Sequence, residues 1–286
     1  MAFKDFLLHV SSYPEPSYDG VIEMAVELAA TLDAEMTALA FEYDVFVPSS
    51  PIAGMFLNVG GMVAAERQKS LANAKAGLDV FAKAALKHAV THHHILECRV
   101  SGMIANAVTD HARLHDLTVI PAGGLGDFQQ FIVEKVIFGS GRPVVVLPNP
   151  APNVATKPRA QRLERIGIAW DSSRPAARAI ADAMPVLRQA KMVRSVTVTN
   201  EKKIDTNRSA ADLSRHLALH GIELLHDEVD IAGRSIGEAL AQYAETHSLD
   251  MLVMGAYGHW RLRDFLLGGA TKSIVSNPIL PIFLSH

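Results

Sequence analysis

The sequence predicts an α/β protein: two tandem doubly wound domains, each a mainly parallel five-stranded sheet ordered 3-2-1-4-5 with helices on both faces. Three observations predict it. Short apolar runs alternate with longer amphipathic stretches along the chain, the trace that strand–helix units leave in a sequence. The pattern occurs twice, because 116–124 lies over 250–258 at a constant offset of 134 and 5–12 lies over 165–172. A two-copy period this long reads as duplicated domains, since solenoid repeats are far shorter. Finally, 286 residues is about twice the usual single-domain size.

In the first half the apolar runs place strands near 4–10, 35–42, 94–99, 117–121 and 143–147. Helical patterns lie between them, near 17–32, 62–90, 102–114 and 129–138. The 62–90 stretch carries Met62, Ala65, Gln68, Lys69, Ala72 and Leu78 in a mixed pattern, so its helicity is clearer than its buried face. The second half repeats the order, with strands near 165–170, 193–199, 224–229, 250–254 and 279–284. Its helices fall near 174–189, 206–220, 235–247 and 269–276. The start at Ser235 is marked by Glu238 three residues on, a capping box in which each side chain satisfies an orphan backbone donor. Phe131-Ile-Val falls on Phe265-Leu-Leu, and after a one-residue shift 142–147 falls on 277–282. The fifth strands, near Val144 and Ile282, have strong β propensity and exposed edges that invite pairing. The proline-rich polar stretch 149–158 is the linker. Domains are expected at 1–150 and 161–286, joined through 151–160.

Composition narrows the partners. With 49% hydrophobic and 20% charged residues there is material for two cores, and a net charge of -3 supplies no basic stripe for nucleic acid or an acidic membrane. Cys98 is the single cysteine, which excludes an internal disulfide and suits a reducing compartment. The first residues lack the apolar core of a signal peptide, and no run reaches the ~20 apolar residues of a membrane span. A soluble cytoplasmic protein is expected.

The most informative segment follows the apolar run ending Leu252-Val253-Met254. It reads Gly255-Ala-Tyr-Gly258, then nine residues, then Gly268-Gly269 leading into Ala270-Thr271-Lys272. Glycines leaving a buried strand and opening a helix let a polyanion approach the backbone, and the free N–H groups of a helix start attract it. The spacing is neither a Walker loop nor a dinucleotide fingerprint. Asp171 directly follows the first strand of this half. In the 3-2-1-4-5 order, strands one and four adjoin where the order reverses, so Asp171 and the amides from Gly255 to Thr271 should line one crevice.

This segment resembles the Gly-x2-Gly-x9-Gly-Ser/Thr signature of the universal stress protein family, and the resemblance covers nearly the whole chain as two such domains in tandem. It implies ATP or AMP as ligand, with Mg as a companion of the nucleotide. The implied binding residues are Ala169, Trp170, Asp171 at the nucleoside, Val198 beside the adenine, Met254 lining the pocket, and Gly255, Gly258, Gly268, Gly269 and Thr271 toward the phosphates. Gly269 stands where the family's ATP binders carry Ser or Thr, which removes a hydroxyl bond worth ~0.5–1.5 kcal/mol. Thr271 would partly replace it. The resemblance also implies that the two halves associate through their fifth strands as an internal pseudo-dimer, with further dimerisation left open.

The first half lacks the motif. Ser11 stands at the place of Asp171, Pro121 at that of Gly255, Glu134 at that of Gly268 and Lys135 at that of Gly269, with Gly124 surviving. Glu134 would repel a phosphate and cap the helix start.

Plainer readings stand beside these. The glycines fit a tight strand-to-helix turn, although Asp171 favours a nucleotide. His92-His-His94 with Cys98 offers imidazole and thiolate, but strand alternation splits neighbours between faces, so a solvated strand start is expected and no metal. His259, Arg261 and Arg263 belong on the wet side of a loop more than on phosphates. Trp170 could stack on a base or fill the core. No catalytic residue is expected, as no nucleophile elbow, paired carboxylates or HExxH is present. The alternatives to nucleotide binding are a carrier of another small ligand or a scaffold using the same crevice, and a slow ATPase.

Overall fold

The computed structural model describes residues 2–44, 59–122, 127–148, 162–199, 206–256 and 278–286. The first half runs β1 (Asp5–Val10), α1 (Asp19–Thr31), β2 (Glu35–Asp44), α2 (Val59–Lys87), β3 (His92–Val100), α3 (Ser101–Ala112), β4 (Leu117–Ala122), α4 (Asp127–Gly139) and β5 (Val144–Pro148). The second runs β6 (Arg165–Ala169), α5 (Arg174–Leu187), β7 (Met192–Thr199), α6 (Thr206–Ala218), β8 (Leu224–Asp230), α7 (Ile236–Thr246), β9 (Met251–Gly255) and β10 (Ile282–Ser285). Each expected element within the described residues is present, with ends displaced by a few residues. The expected helix at 269–276 and the linker lie outside the described residues.

Among the described residues the strands form one ten-stranded sheet ordered β3-β2-β1-β4-β5-β10-β9-β6-β7-β8. Each half therefore has the order 3-2-1-4-5. All neighbours are parallel except β5 and β10, which pair antiparallel as Val144↔Leu284, Val145↔Phe283 and Val146↔Ile282. β5 reads Val-Val-Val-Leu and is buried, as a β-branched run covered on both faces should be.

Strand register corrects the sequence alignment at this point. Thr118 pairs with Val144, and Leu252, its counterpart, pairs with Ile282. Thr118 also donates its N–H to the Pro143 carbonyl and Leu252 to the Pro281 carbonyl. Val144 thus corresponds to Ile282 and not to Ile279, so the connection after the fourth strand is longer in the second half than a one-residue shift allows. With that equivalence the β5–β10 pairing is symmetric about Val145 and Phe283.

Helices cover both faces. On one, α1, α2, α5 and α6 pack residues such as Ile22, Phe81, Ile180 and Leu217 against Phe6, Ile166 and Phe283. On the other, α3, α4 and α7 bring Val108, Ile132 and Leu240 against Leu39, Ile120 and Leu252. Both apolar layers draw on strands of the two halves, so the β5–β10 seam is covered on each side. No described helix is long and apolar enough to cross a membrane.

Local signals account for the helix starts near the site. Ser173 caps α5, its hydroxyl accepting from the Ala176 N–H at 3.2 Å, and Pro175 sits in the first turn where its missing N–H costs nothing. The expected box at α7 is formed: Ser235 N–H donates to Glu238 at 2.8 Å while Glu238 N–H donates to the Ser235 hydroxyl at 3.2 Å.

Candidate functional site

β6 pairs with β9 through Ile166↔Met251 to Ala169↔Met254 and with β7 through Ala169↔Val196. The sheet order reverses between β6 and β9, the place where a crevice opens beyond the carboxyl ends of the strands. Asp171 lies there, two residues past β6, and Gly255 ends β9.

Asp171 is exposed. Its carboxylate accepts from the Ser173 N–H at 3.0 Å, a turn that fixes the acid at the head of α5, and Ser172 takes a positive φ of 61° to complete it. This holds the carboxylate in the turn that follows the first strand of this half.

Residues in register on parallel strands share a face. Ala169, Val198 and Met254 all border the apolar layer under α7, together with Val229 and Ile236. Ala169 and Val198 are half-buried, so their small side chains leave apolar surface near Asp171. Trp170 lies on the opposite face and packs against the layer under α5 and α6. Its backbone N–H donates to the Val196 carbonyl and its carbonyl accepts from the Thr197 hydroxyl, both at 2.9 Å. The core reading thus has the direct support, and Trp170 is separated from the Ala169–Val198 surface by the sheet.

Gly255 has a specific packing reason to be glycine. A Cβ there would meet the Ala176 nitrogen and the Pro175 carbonyl carbon at 2.4 Å each. The first turn of α5 lies against the end of β9, and no side chain fits between two backbones at that distance. Gly258, Gly268, Gly269 and Thr271, and with them His259, Arg261 and Arg263, lie outside the described residues.

The same positions in the first half are filled. Register equates His9 with Ala169 and Phe41 with Val198. His9 and Phe41 are both buried, with ring centroids 6.1 Å apart. The Gln129 amide of α4 approaches His9 Nδ1 at 3.4 Å. Burial without a compensating charge pushes the His9 pKa down to about 4. Beyond them Tyr13, Tyr43 and Phe128 stack in series at 5.1 and 6.1 Å. Ser11, at the place of Asp171, spends its hydroxyl on the Glu15 carbonyl at 3.0 Å. Pro121 is buried at the place of Gly255. Glu134 departs from expectation: it lies well inside α4, accepting from Gln130 at 3.1 Å, and does not cap the helix start. Lys135 lies over the Phe131 ring at 5.5 Å.

β3 is the outermost strand of its half and mostly exposed; His92 packs on Phe81, and Cys98 is a free thiol contacted by Arg67 at 3.5 Å. Sequence reasoning missed the filling of the first crevice. The apolar run of β1 announces burial, but the size and face of His9 follow only from register.

The fold is that of a doubly wound α/β protein whose second half reverses its strand order between β6 and β9. Residues 163–284 match the model of the universal stress protein family. A universal stress protein of Synechocystis sp. is 33% identical over 55 residues, 19% of this chain and 19% of that protein. In structure, a universal stress protein from Archaeoglobus fulgidus superposes with a TM-score of 0.69 at 15% identity, covering 98% of this chain and 95% of the other. A protein of unknown function from Pseudomonas aeruginosa gives 0.59 at 12%, covering 99% and 92%. At such identities the likeness is one of fold. The match to the universal stress protein family lies in the second half of the chain.

Proposed function

We propose that this protein binds ATP or a related adenine nucleotide in its second domain, one molecule per chain, and acts in the cytoplasm through conformation or interaction. The observation that carries the reading is the contrast at equivalent positions. Ala169, Asp171 and Gly255 belong to the carboxyl ends of β6 and β9 and Val198 to that of β7, where the first half has His9, Ser11, Pro121 and Phe41. An apolar surface of small side chains suits a base, and the Asp171 carboxylate can accept from its amine or the ribose hydroxyls. Gly258, Gly268, Gly269 and Thr271 would hold the phosphates through backbone amides, with Mg accompanying them. The domains run 1–150 and 161–286 in this reading.

Calorimetry with ATP on protein freed of nucleotide tests it. The expected result is one site per chain, weakened by Asp171→Ala by ~1–3 kcal/mol for the lost charged acceptor. Two sites per chain, or no heat at millimolar ATP, would sink the assignment. A second reading, a carrier of an uncharged small ligand, draws on the apolar Ala169–Val198–Met254 surface and on Gly269. Mass spectrometry of what the denatured protein releases separates the two.

A further inference from the structure

We propose a divalent-metal site, suited to Zn2+, between α1 and the end of α2, formed by Glu23, Glu27 and His88. The three come from two separate parts of the chain: Glu23 and Glu27 lie one helical turn apart on α1, and His88 directly follows α2. His88 Nε2 stands 3.8 Å from a Glu23 oxygen and 3.8 Å from a Glu27 oxygen, and the three donor atoms lie within 4.8 Å of one another. These separations exceed hydrogen-bond range. Bonds of ~2.0–2.2 Å to one ion put neighbouring donors roughly 3.0–3.6 Å apart, so a small closing movement would complete the site.

A second observation concerns His88 itself. Its Nε2 is buried and has no hydrogen-bond partner among the described residues. A buried nitrogen left unmatched is destabilising, and a cation between it and the carboxylates would satisfy it. One imidazole and two carboxylates form a donor set that Zn2+ accepts, leaving a further position for water. Lys87 competes, since its ammonium bonds Glu23 and holds that carboxyl below the usual range. The Lys87 side chain is 64% exposed and can swing into water at little cost. An ion here would tie α1 to the end of α2, both of which pack on the face away from the candidate nucleotide surface.

The test is calorimetric titration of chelator-treated, tag-free full-length protein with Zn2+. One site is expected, weakened at least ten-fold by Glu27→Gln and by His88→Gln, and tightened several-fold by Lys87→Ala. The last change runs opposite to what damage to the fold would produce. Thermal unfolding should shift upward with Zn2+ in the native protein and not in His88→Gln. Absence of binding overturns the proposal, as does equal affinity in all four proteins, which would assign the metal to the exposed histidines of β3.

Discussion

In the first half, eight residues separate β1 from α1; in the second, four separate β6 from α5. That difference and the side chains at the strand ends set the two halves apart within one topology. The short turn brings the start of α5 onto β9, which forces glycine at 255. The longer turn lets Pro121 occupy the same place and folds back on itself, Ser17 N–H donating to the Ser11 carbonyl at 3.0 Å. His9 and Phe41 then occupy what Ala169 and Val198 leave open. A duplicated sheet can thus carry large buried side chains at one reversal and small half-buried ones at the other, without change in strand order.

The largest expected effect comes from erasing the turn difference. Gly255→Ala should destabilise the protein by about 3 kcal/mol or more, because the new Cβ meets backbone and not a side-chain end. Pro121→Gly should cost far less. Chemical denaturation of both variants checks this; a mild Gly255→Ala would mean that α5 can retreat and that the crevice is adjustable.

His9 gives the halves different responses to acid. The unfolded chain takes a proton on this histidine below its ordinary pKa of ~6.5, whereas the folded protein refuses it until about 4. The unfolded state therefore binds more protons in that window, and stability falls as pH drops through it, by about 3 kcal/mol at pH 4 relative to pH 7.5. Above ~6.5 the group contributes no pH dependence. Comparing denaturation of the native protein and His9→Gln across this range should show the variant losing that much less.

A transplant sharpens the comparison at the proposed ligand surface. Val198→Phe places in the second half the side chain that closes the first, and should weaken ATP binding by ~10–100-fold, about 1.4–2.8 kcal/mol. The reverse exchange, Phe41→Val, removes a fully buried ring and should lower stability without creating a second nucleotide site. Calorimetry reads both. Unchanged affinity in Val198→Phe would move the base away from β7.

How far these contrasts were legible in the sequence follows from the physics of each. Alternating apolar runs gave the succession of strands and helices, because period and burial are written locally, and the doubly wound fold type supplied the order 3-2-1-4-5. The reversal point followed from that order, with Asp171 and Gly255 at the carboxyl ends of the neighbouring strands β6 and β9. The packing of Gly255 on α5 did not, since a glycine looks the same whether a ligand or a helix fills its missing side chain. Glu134 was misjudged as a cap because α4 begins at Asp127, well before it. The fifth-strand offset slipped because a proline marks each strand start, and Pro278 was matched to Pro143 where register selects Pro281. Glu23 and Glu27 show helical spacing, but nothing local brings His88 to them.

The smallest effect concerns how the equivalent helices α3 and α7 begin. α7 starts with both halves of the Ser235–Glu238 box in place. At α3 the capping residue is Val100, with no side-chain bond to the orphan donors, and Met103 stands at the third helical position, where α7 has Glu238. Ser235→Ala should destabilise the second half by about 1 kcal/mol, and Val100→Ser should stabilise the first by a similar or smaller amount. Val100 is exposed, so its replacement sacrifices little packing. Hydrogen exchange resolves the two helix starts separately: protection should fall in the first turn of α7 and rise in that of α3. If both substitutions instead shifted protection throughout the sheet, the two halves would be unfolding as one cooperative unit across the β5–β10 seam.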